Sequence, residues 1–254
     1  MIRPYVLAET NWEHLKDEKF DLAILPWGAT EAHNYHLPYG TDNYQAQSFV
    51  EAAAKMSWEK GKKVIVLPTI PFGVNTGQKD IYLDMNLNPS TQLAILKDIV
   101  TVLNRQGIHK LLLFNGHGGN NFKPIVRELG LLFPDMFISF SFFPQMLDKT
   151  KYFKEKGDHA DEMETSLMLY LRPDLVLPKD KWGSGDEKKF KIKAFNEGWV
   201  WAERQWSKVS SDTGIGNPEY STAQKGKHFF NDITTKLDNL FCALCEADLY
   251  DLYE

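Results

Sequence analysis

Short apolar runs alternate with longer stretches of helical composition along this chain. The runs are continuously apolar rather than alternating with polar residues, which is typical of strands buried on both faces of a sheet. This alternation predicts an α/β fold with a mostly parallel sheet that helices cover on both faces. The predicted strands are 21–27, 63–68, 110–116 and 137–143.

Stretches of helical composition or spacing separate and follow these strands. In the clearest of them, Asn88 is a candidate cap, Pro89 suits the first turn and Gly107 suits the exit. The predicted helices are 43–60, 88–107, 121–132, 159–171 and 221–252. The stretch 180–220 is rich in Gly, Lys and Trp without a clear period, and we expect it to cover the functional site or to form a subunit contact.

Composition narrows the class of protein. The 254 residues are ample for a sizeable core, and we expect one domain over 1–254. A formal net charge of -5 disfavours nucleic acid as the main partner. Apolar runs too short to span a membrane and an N-terminus without a signal segment predict a cytoplasmic protein. Cys242 and Cys245 lie in the predicted C-terminal helix, where two small buried side chains are favoured over a redox pair.

The first cluster of candidate functional residues follows the first predicted strand and contains Glu31, His33, His36 and Asp42. Residues two apart in an extended segment point to the same side, so Glu31 and His33 can face one point. The turn at 38–40 can bring Asp42 back to that point. Carboxylate mixed with imidazole suits zinc, manganese or iron. A polar surface loop is the alternative, but the density of acids and histidines favours a metal site.

Two further clusters come later in the chain. In NGHGGN (115–120), His117 directly follows the third strand, and the turn is either a ligand-bearing loop, a structural turn or a phosphate cradle. In DHADEMETS (158–166), the acids suit the first turn of a helix, but that does not explain His159, which beside carboxylates is a natural proton shuttle. Together the three clusters offer two glutamates, one aspartate and two histidines as ligands, with a further histidine. Two metal ions that share one carboxylate need about this number of ligands.

These same residues carry a resemblance to the creatininase (creatinine amidohydrolase) family. The family pattern runs roughly E-x-H-G-x-H-L-P, then T-D, then G-H-G-G-N, then H-A-G-E-x-E-T-S. The matching segments here stand in the same order: EAHNYHLP (31–38), GTD (40–42), NGHGGN (115–120) and HADEMETS (159–166).

The resemblance implies a layered α/β/α fold and a binuclear metal site. The implied metal ligands are Glu31, His33, Asp42 and His117, with Asp42 bridging both ions. His159 matches the histidine that shuttles protons.

The fifth ligand and His36 are less directly matched. Creatininase proper takes a glutamate from its glycine turn, where this chain has Gly119, so we expect Glu164 as the fifth ligand, with Glu162 as the alternative. His36 is expected to orient a ligand.

The chain also departs from the family pattern. Asn34 and Tyr35 stand where glycine is usual and are expected to crowd the motif, and Asp161 replaces the glycine of H-A-G. The segment 77–86 replaces a family stretch H-x-x-F-P-G-T and is expected to line the substrate pocket.

The implied function is hydrolysis of an amide-type C–N bond in a small molecule, with cyclic substrates among the candidates. The implied cofactors are two divalent ions per chain, zinc being favoured over manganese or iron. The expected partners are a small-molecule substrate and further copies of the chain in a homo-oligomer such as a hexamer, with neither nucleic acid nor membrane.

Three alternatives stay open from the sequence. They are a deformylase or peptidase on the same metal site, a metal-binding protein without turnover, and a nucleotide-binding protein that uses the NGHGGN turn.

Overall fold

A computed structural model describes residues 2–254. Within these residues, four parallel strands form a sheet in the order β2-β1-β3-β4. The strands are β1 (Leu22–Trp27), β2 (Val64–Val66), β3 (Lys110–Asn115) and β4 (Phe137–Phe142). Each predicted strand is present, and every residue of β1 is buried, as its continuous apolar run predicts.

Helices cover both faces of this sheet. They are α1 (Trp12–Leu15), α2 (Thr41–Glu59), α3 (Pro89–Arg105), α4 (Phe122–Leu132), α5 (Glu162–Leu171), α6 (Lys193–Asn196), α7 (Trp206–Val209) and α8 (Ala223–Glu246). Among the described residues, no helix combines the length and apolar character that a membrane crossing requires.

The two faces of the sheet bury two separate cores. Successive strand residues point to opposite faces, so Ile24 packs with α2, α5 and α8 while Leu25 packs with α3 and α4. Phe49 and Phe229 fill the first core and Phe122 the second, each with no measurable exposure. Complete burial of such side chains contributes roughly 1.5–3 kcal/mol each. The predicted layered α/β/α fold is therefore confirmed.

The helix predicted over 159–171 begins only at Glu162. Asp161 caps it, because its carboxylate accepts hydrogen bonds from two backbone amides of the first turn at 2.9 and 3.0 Å. Before the cap, Ala160 has a φ of 49°, which is outside the helical region. His159 is therefore placed by an extended segment rather than by the helix, so the predicted start was wrong.

The helix predicted over 221–252 was also too long, since α8 ends at Glu246. Lys110, at the start of β3, donates hydrogen bonds to the carbonyls of Cys245 and Ala247 at 3.2 and 2.6 Å. These bonds satisfy carbonyls at the helix end and fix that end to the sheet. Cys242 and Cys245 are free and half-buried on α8.

The close packing of α8 against α5 predicts a difference between two glycines. A Cβ at Gly226 would lie 1.9 Å from the carbonyl oxygen of Ser166, whereas a Cβ at Gly130, in α4, would meet nothing within 4 Å. We expect Gly226→Ala to destabilise the fold by about 1–3 kcal/mol through overpacking. Gly130→Ala should instead stabilise it by about 0.5–1 kcal/mol, because alanine loses less backbone entropy. Urea unfolding of both variants measures this, and an unchanged Gly226→Ala midpoint would contradict the packing.

Candidate metal site

Six polar side chains meet at the carboxyl ends of β1 and β3. Trp27 and Asn115, which end these strands, are register partners, so the loops that follow them start side by side. The six side chains come from these loops, from the first turn of α2 and from the approach to and first turn of α5: Glu31, His33, Asp42, His117, His159 and Glu164. All six are buried, with at most 6% of the residue exposed.

One group of donors surrounds His117. Its Nδ1 lies 2.8 Å from Glu31 Oε1 and 3.0 Å from Asp42 Oδ2. Both oxygens are buried, and neither takes part in a hydrogen bond of acceptable geometry with any residue of the described chain. Three electron-rich atoms therefore converge without satisfying one another.

A second group surrounds His33. Its Nε2 lies 3.1 Å from Asp42 Oδ1 and 3.9 Å from Glu164 Oε2. Asp42 thus turns one oxygen to each group, as a bridging carboxylate would. His159 belongs to the same cluster, with its Nδ1 3.8 Å from Glu31 Oε1 and its ring stacked at a tilt on His33, 4.1 Å between centroids.

Backbone carbonyls fix the direction of all three histidines. A carbonyl only accepts hydrogen bonds, so the ring nitrogen facing it must donate. The neutral ring then presents its other nitrogen, as a lone pair, to the cluster. The three pairs are His33 Nδ1 with the Glu31 carbonyl at 3.1 Å, His117 Nε2 with that of Val74 at 3.0 Å, and His159 Nε2 with that of Ala32 at 2.8 Å.

The electrostatics of the cluster favour added positive charge. Burial disfavours a charged ring, yet the carboxylates of Asp42, Glu164 and Glu31 raise the pKa of His33 to about 10. Burial also disfavours a charged ring at His117, yet Glu31 and Asp42 raise the pKa of His117 well above the usual value. In the absence of a metal ion, protons are thus drawn to nitrogens that a cation could use instead. The donor set therefore fits divalent ions.

The remaining pKa shifts separate the acids and the third histidine. Burial raises the pKa of Glu164 to about 8. Burial would also raise the pKa of Asp42, but the adjacent rings of His33 and His117 hold it well below its usual range. Burial and the neighbouring His33 lower the pKa of His159, which keeps that ring neutral.

Glu162, the alternative fifth ligand, faces away from the cluster. Its carboxylate accepts hydrogen bonds from the backbone amides of Lys154 and Glu155, at 2.8 and 2.7 Å, and pairs with Lys225. Glu162 therefore ties α5 to α8 and to the preceding loop. The geometry selects Glu164 as the residue beside His33.

The NGHGGN turn is built to hold His117. Asn115 accepts a hydrogen bond from the His117 amide at 3.1 Å and donates to its carbonyl at 2.8 Å. A Cβ at Gly119 would lie 2.2 Å from the Val74 carbonyl oxygen and 2.5 Å from His117 Nε2, so a glutamate at this position would break the bond that orients the ring. The amides of His117 and Asn120 are bonded inside the turn, which disfavours a phosphate cradle.

His36 contacts a neighbour of a candidate ligand. Its Nε2 lies 2.8 Å from the Thr165 hydroxyl, one residue beyond Glu164, and its ring stacks on Trp182 with 4.8 Å between centroids. Burial lowers the pKa of His36 to about 4, so it is a neutral packing group. The hydrogen bond expected to orient a ligand thus goes to the adjacent residue of α5.

The departure at Asn34 creates no crowding. Asn34 takes a φ of 54°, a conformation that asparagine tolerates better than most residues. Its amide side chain accepts from the Gly183 amide at 2.9 Å and donates to the Gly183 carbonyl at 3.2 Å. Tyr35 is largely exposed, and its hydroxyl donates to the Ser211 carbonyl at 3.1 Å. Both residues instead anchor the segment 182–211, so the expectation of crowding was wrong.

The segment 182–211 lies over the site. Trp206 packs edge-on against His159, with ring centroids 4.7 Å apart. Arg204 lies over the Trp206 ring and pairs with Asp158 at 2.9 Å. This confirms one of the two roles expected for the stretch 180–220, covering of the functional site.

Sequence patterns missed Trp206, Gln78 and Asp84 as parts of the site. Gln78 donates to Glu31 Oε2, and Asp84 accepts from the Ala32 amide at 2.7 Å. Both stand in the segment 77–86 expected to line the pocket, but no motif singles them out.

Comparison with known proteins identifies relatives of this chain. A family model described as creatinine amidohydrolase matches residues 8–241. A 3-dehydro-scyllo-inosose hydrolase from Thermotoga maritima is 28% identical over 182 residues, covering 66% of this chain and 55% of the relative. A creatinine amidohydrolase from Pseudomonas putida is 27% identical over 174 residues, covering 60% of this chain and 65% of the relative. The matches thus span less than two thirds of each curated relative.

Solved structures match over nearly the whole chain. A Bacteroides fragilis protein assigned as a creatinine amidohydrolase is 40% identical, with a TM-score of 0.93 over 99% of this chain and 100% of that chain. A creatininase described as a manganese form is 19% identical, with a TM-score of 0.79 over 96% of this chain and 99% of that chain, and shows the shared fold. With the family model matching most of its length, this chain belongs to the creatininase family of hydrolases.

Proposed function

We propose that this protein is a binuclear-metal-dependent hydrolase that cleaves an amide-type C–N bond in a small molecule, with cyclic substrates among the candidates. The observation that carries the proposal is the convergence of histidine nitrogens and carboxylate oxygens in one buried cluster, in which Glu31 Oε1 and Asp42 Oδ2 have no hydrogen-bond partner. Relatives support it, since creatininase structures are described as a zinc–zinc type and a manganese form.

The proposed ligand sets follow the two groups of donors. Glu31, Asp42 and His117 would hold one divalent ion, and His33, Asp42 and Glu164 the other. Carboxylate and imidazole donors suit zinc, which we favour, and also manganese and iron. When bound, the two ions would supply an activated water and a positive charge for the carbonyl oxygen.

His159 is proposed to move the proton. Its Nδ1 faces the cluster and its Nε2 is held by the Ala32 carbonyl. The neutral ring accepts a proton at Nδ1 as water adds to the substrate carbonyl. It then gives that proton to the leaving nitrogen as the C–N bond breaks, which yields a carboxylic acid and an amine.

A set of candidate substrates to be assayed with the purified protein should extend beyond creatinine. One relative is named for an amide-containing ring and another for 3-dehydro-scyllo-inosose. Cyclic amides, formamides, short peptides and that inosose together separate the amidohydrolase from a deformylase, a peptidase or an inosose hydrolase.

We propose further that the chain acts as one domain over residues 1–254, in the cytoplasm, and as a homo-oligomer such as a hexamer. Near-complete overlap with the Bacteroides fragilis structure supports the single domain. Sedimentation of the purified protein measures the oligomer.

Metal content tests the binuclear site. We expect about two divalent ions per chain in the purified, tag-free protein. Asp42→Ala should lose both, because Asp42 turns one oxygen to each donor group. Elemental analysis measures both proteins, and full retention of metal by the variant would exclude the bridging role.

The fifth ligand is tested by two neighbouring glutamates on α5. Glu164→Gln should lose about one ion per chain, because a neutral amide is a poor substitute for a carboxylate ligand. The matched control Glu162→Gln should keep the wild-type metal content, since its carboxylate binds Lys225 and two backbone amides. Equal metal loss in both variants would point to disruption of α5 instead of ligation.

If His159 moves the proton, its removal should lower turnover and leave metal binding unchanged. His159→Ala should keep its metal and lose about 100- to 10,000-fold in turnover, the usual contribution of general acid–base catalysis. The exposed His228→Ala serves as a control with unchanged rate. Metal-loaded His159→Ala working at the wild-type rate would remove the shuttle from the mechanism.

A further inference from the structure

The loop 75–86, between β2 and α3, brings two polar side chains against the stretch that carries Glu31, Ala32 and His33. In this loop, Gln78 ends a short 3-10 turn and is 2% exposed. Asp84 follows six residues later and is half-buried.

Gln78 holds the oxygen of Glu31 that faces away from the donor cluster. A carboxylate only accepts hydrogen bonds, so the amide nitrogen of Gln78 donates to Glu31 Oε2. The other oxygen, Oε1, is the one beside His117 and His159. The hydrogen bond therefore fixes which oxygen of Glu31 is presented to a metal ion and prevents rotation of the carboxylate.

Asp84 acts on the neighbouring residue, Ala32. Its Oδ1 accepts from the Ala32 amide at 2.7 Å, and the Ala32 carbonyl accepts from His159 Nε2 at 2.8 Å. Ala32 is thus held on one side by Asp84 and holds the proton-transfer histidine on the other. A shift of Ala32 would carry the acceptor of His159 with it.

The loop has its own closing contacts that reach neither Glu31 nor Ala32. Asn75 donates from its side chain to the Met85 carbonyl at 3.1 Å, and its amide donates to Asn86 Oδ1 at 2.9 Å. Gln78 and Asp84 are therefore not the groups that tie its ends together. Each of them also keeps a buried oxygen without a hydrogen-bond partner, Gln78 Oε1 and Asp84 Oδ2. Burial of an unpaired polar atom costs free energy, so their placement against the site indicates a role there.

We propose that Gln78 and Asp84 are two positioning residues with separate tasks: Gln78 fixes Glu31 for metal binding, and Asp84 fixes His159 through Ala32. The inference rests on the proposed metal site. It predicts that removal of Gln78 weakens metal binding, while removal of Asp84 loosens the histidine and leaves both ions bound.

Zinc affinity tests the first task. Gln78→Met nearly keeps the shape of the side chain and removes its donor, and Gln78→Ala repeats the test with a smaller group. After removal of metal, competition with a chromophoric chelator should show one of two zinc ions bound about 10- to 100-fold more weakly than in the wild type. Lys79→Ala changes an exposed neighbour of Gln78 in the same loop and is the control, which should keep both affinities.

Two results would overturn this part. One is that both Gln78 variants bind the two zinc ions with wild-type affinities. The other is that Lys79→Ala weakens zinc binding as much as the Gln78 variants do. A wild-type protein that binds no zinc would instead reject the proposed function, so the two failures are distinguishable.

Nuclear magnetic resonance of protein labelled with ¹⁵N at histidine tests the second task. In the zinc-loaded wild type, the Nε2 proton of His159 should be protected from exchange by the Ala32 carbonyl. Asp84→Ala should lose this protected signal and keep both ions, while Asp84→Asn, which retains an acceptor for the Ala32 amide, should preserve it. The same signal in all three proteins would show that Asp84 does not position His159.

Discussion

The site depends on the burial of three carboxylates, those of Glu31, Asp42 and Glu164, close to one another. Three carboxylates and three imidazoles share a volume from which water is nearly excluded, and their donor atoms approach within 3–4 Å of one another. Donor oxygens of Asp42 lie within 4.8 Å of one from Glu31 and of one from Glu164. Carboxylates this close repel at low dielectric unless positive charge lies between them. Protons on His33 and His117 supply some of that charge, and divalent ions would supply more. The positive charge that balances the buried carboxylates is therefore also the charge that the proposed chemistry would use.

The scaffold meets this requirement with helix termini as well as strand ends. Asp42 stands in the first turn of α2 and Glu164 in the first turn of α5, where the partial positive charge of a helix stabilises carboxylates. The carboxyl ends of adjacent parallel strands supply Glu31, His33 and His117. Two helices packed on the sheet thus bring their acids to the point where the strand loops bring their histidines.

A layer of supporting residues surrounds this cluster. Asn34 anchors the covering segment through Gly183, and Asp161 caps α5 where the family pattern has glycine. Gln78 and Asp84 hold the Glu31–His33 stretch from the loop after β2. At Asn34 and Asp161, where the chain departs from the family pattern that its sequence resembles, the side chains make hydrogen bonds that support the site.

The sequence by itself determined the layers of the fold and the three segments from which the donor residues come. Continuous apolar runs required strands buried on both faces, and clusters of acids and histidines directly after those runs had to meet at the carboxyl edge of the sheet. Local pattern could not choose between Glu162 and Glu164, because both are acids in the first turn of one helix and only the packing of α5 decides which faces His33. Nor could it find Gln78 and Asp84, which stand 47 and 52 residues from their partners. Those contacts exist only because the tertiary fold folds the loop after β2 back over the loop after β1, and hydrogen bonds between distant segments leave no periodic trace in a sequence.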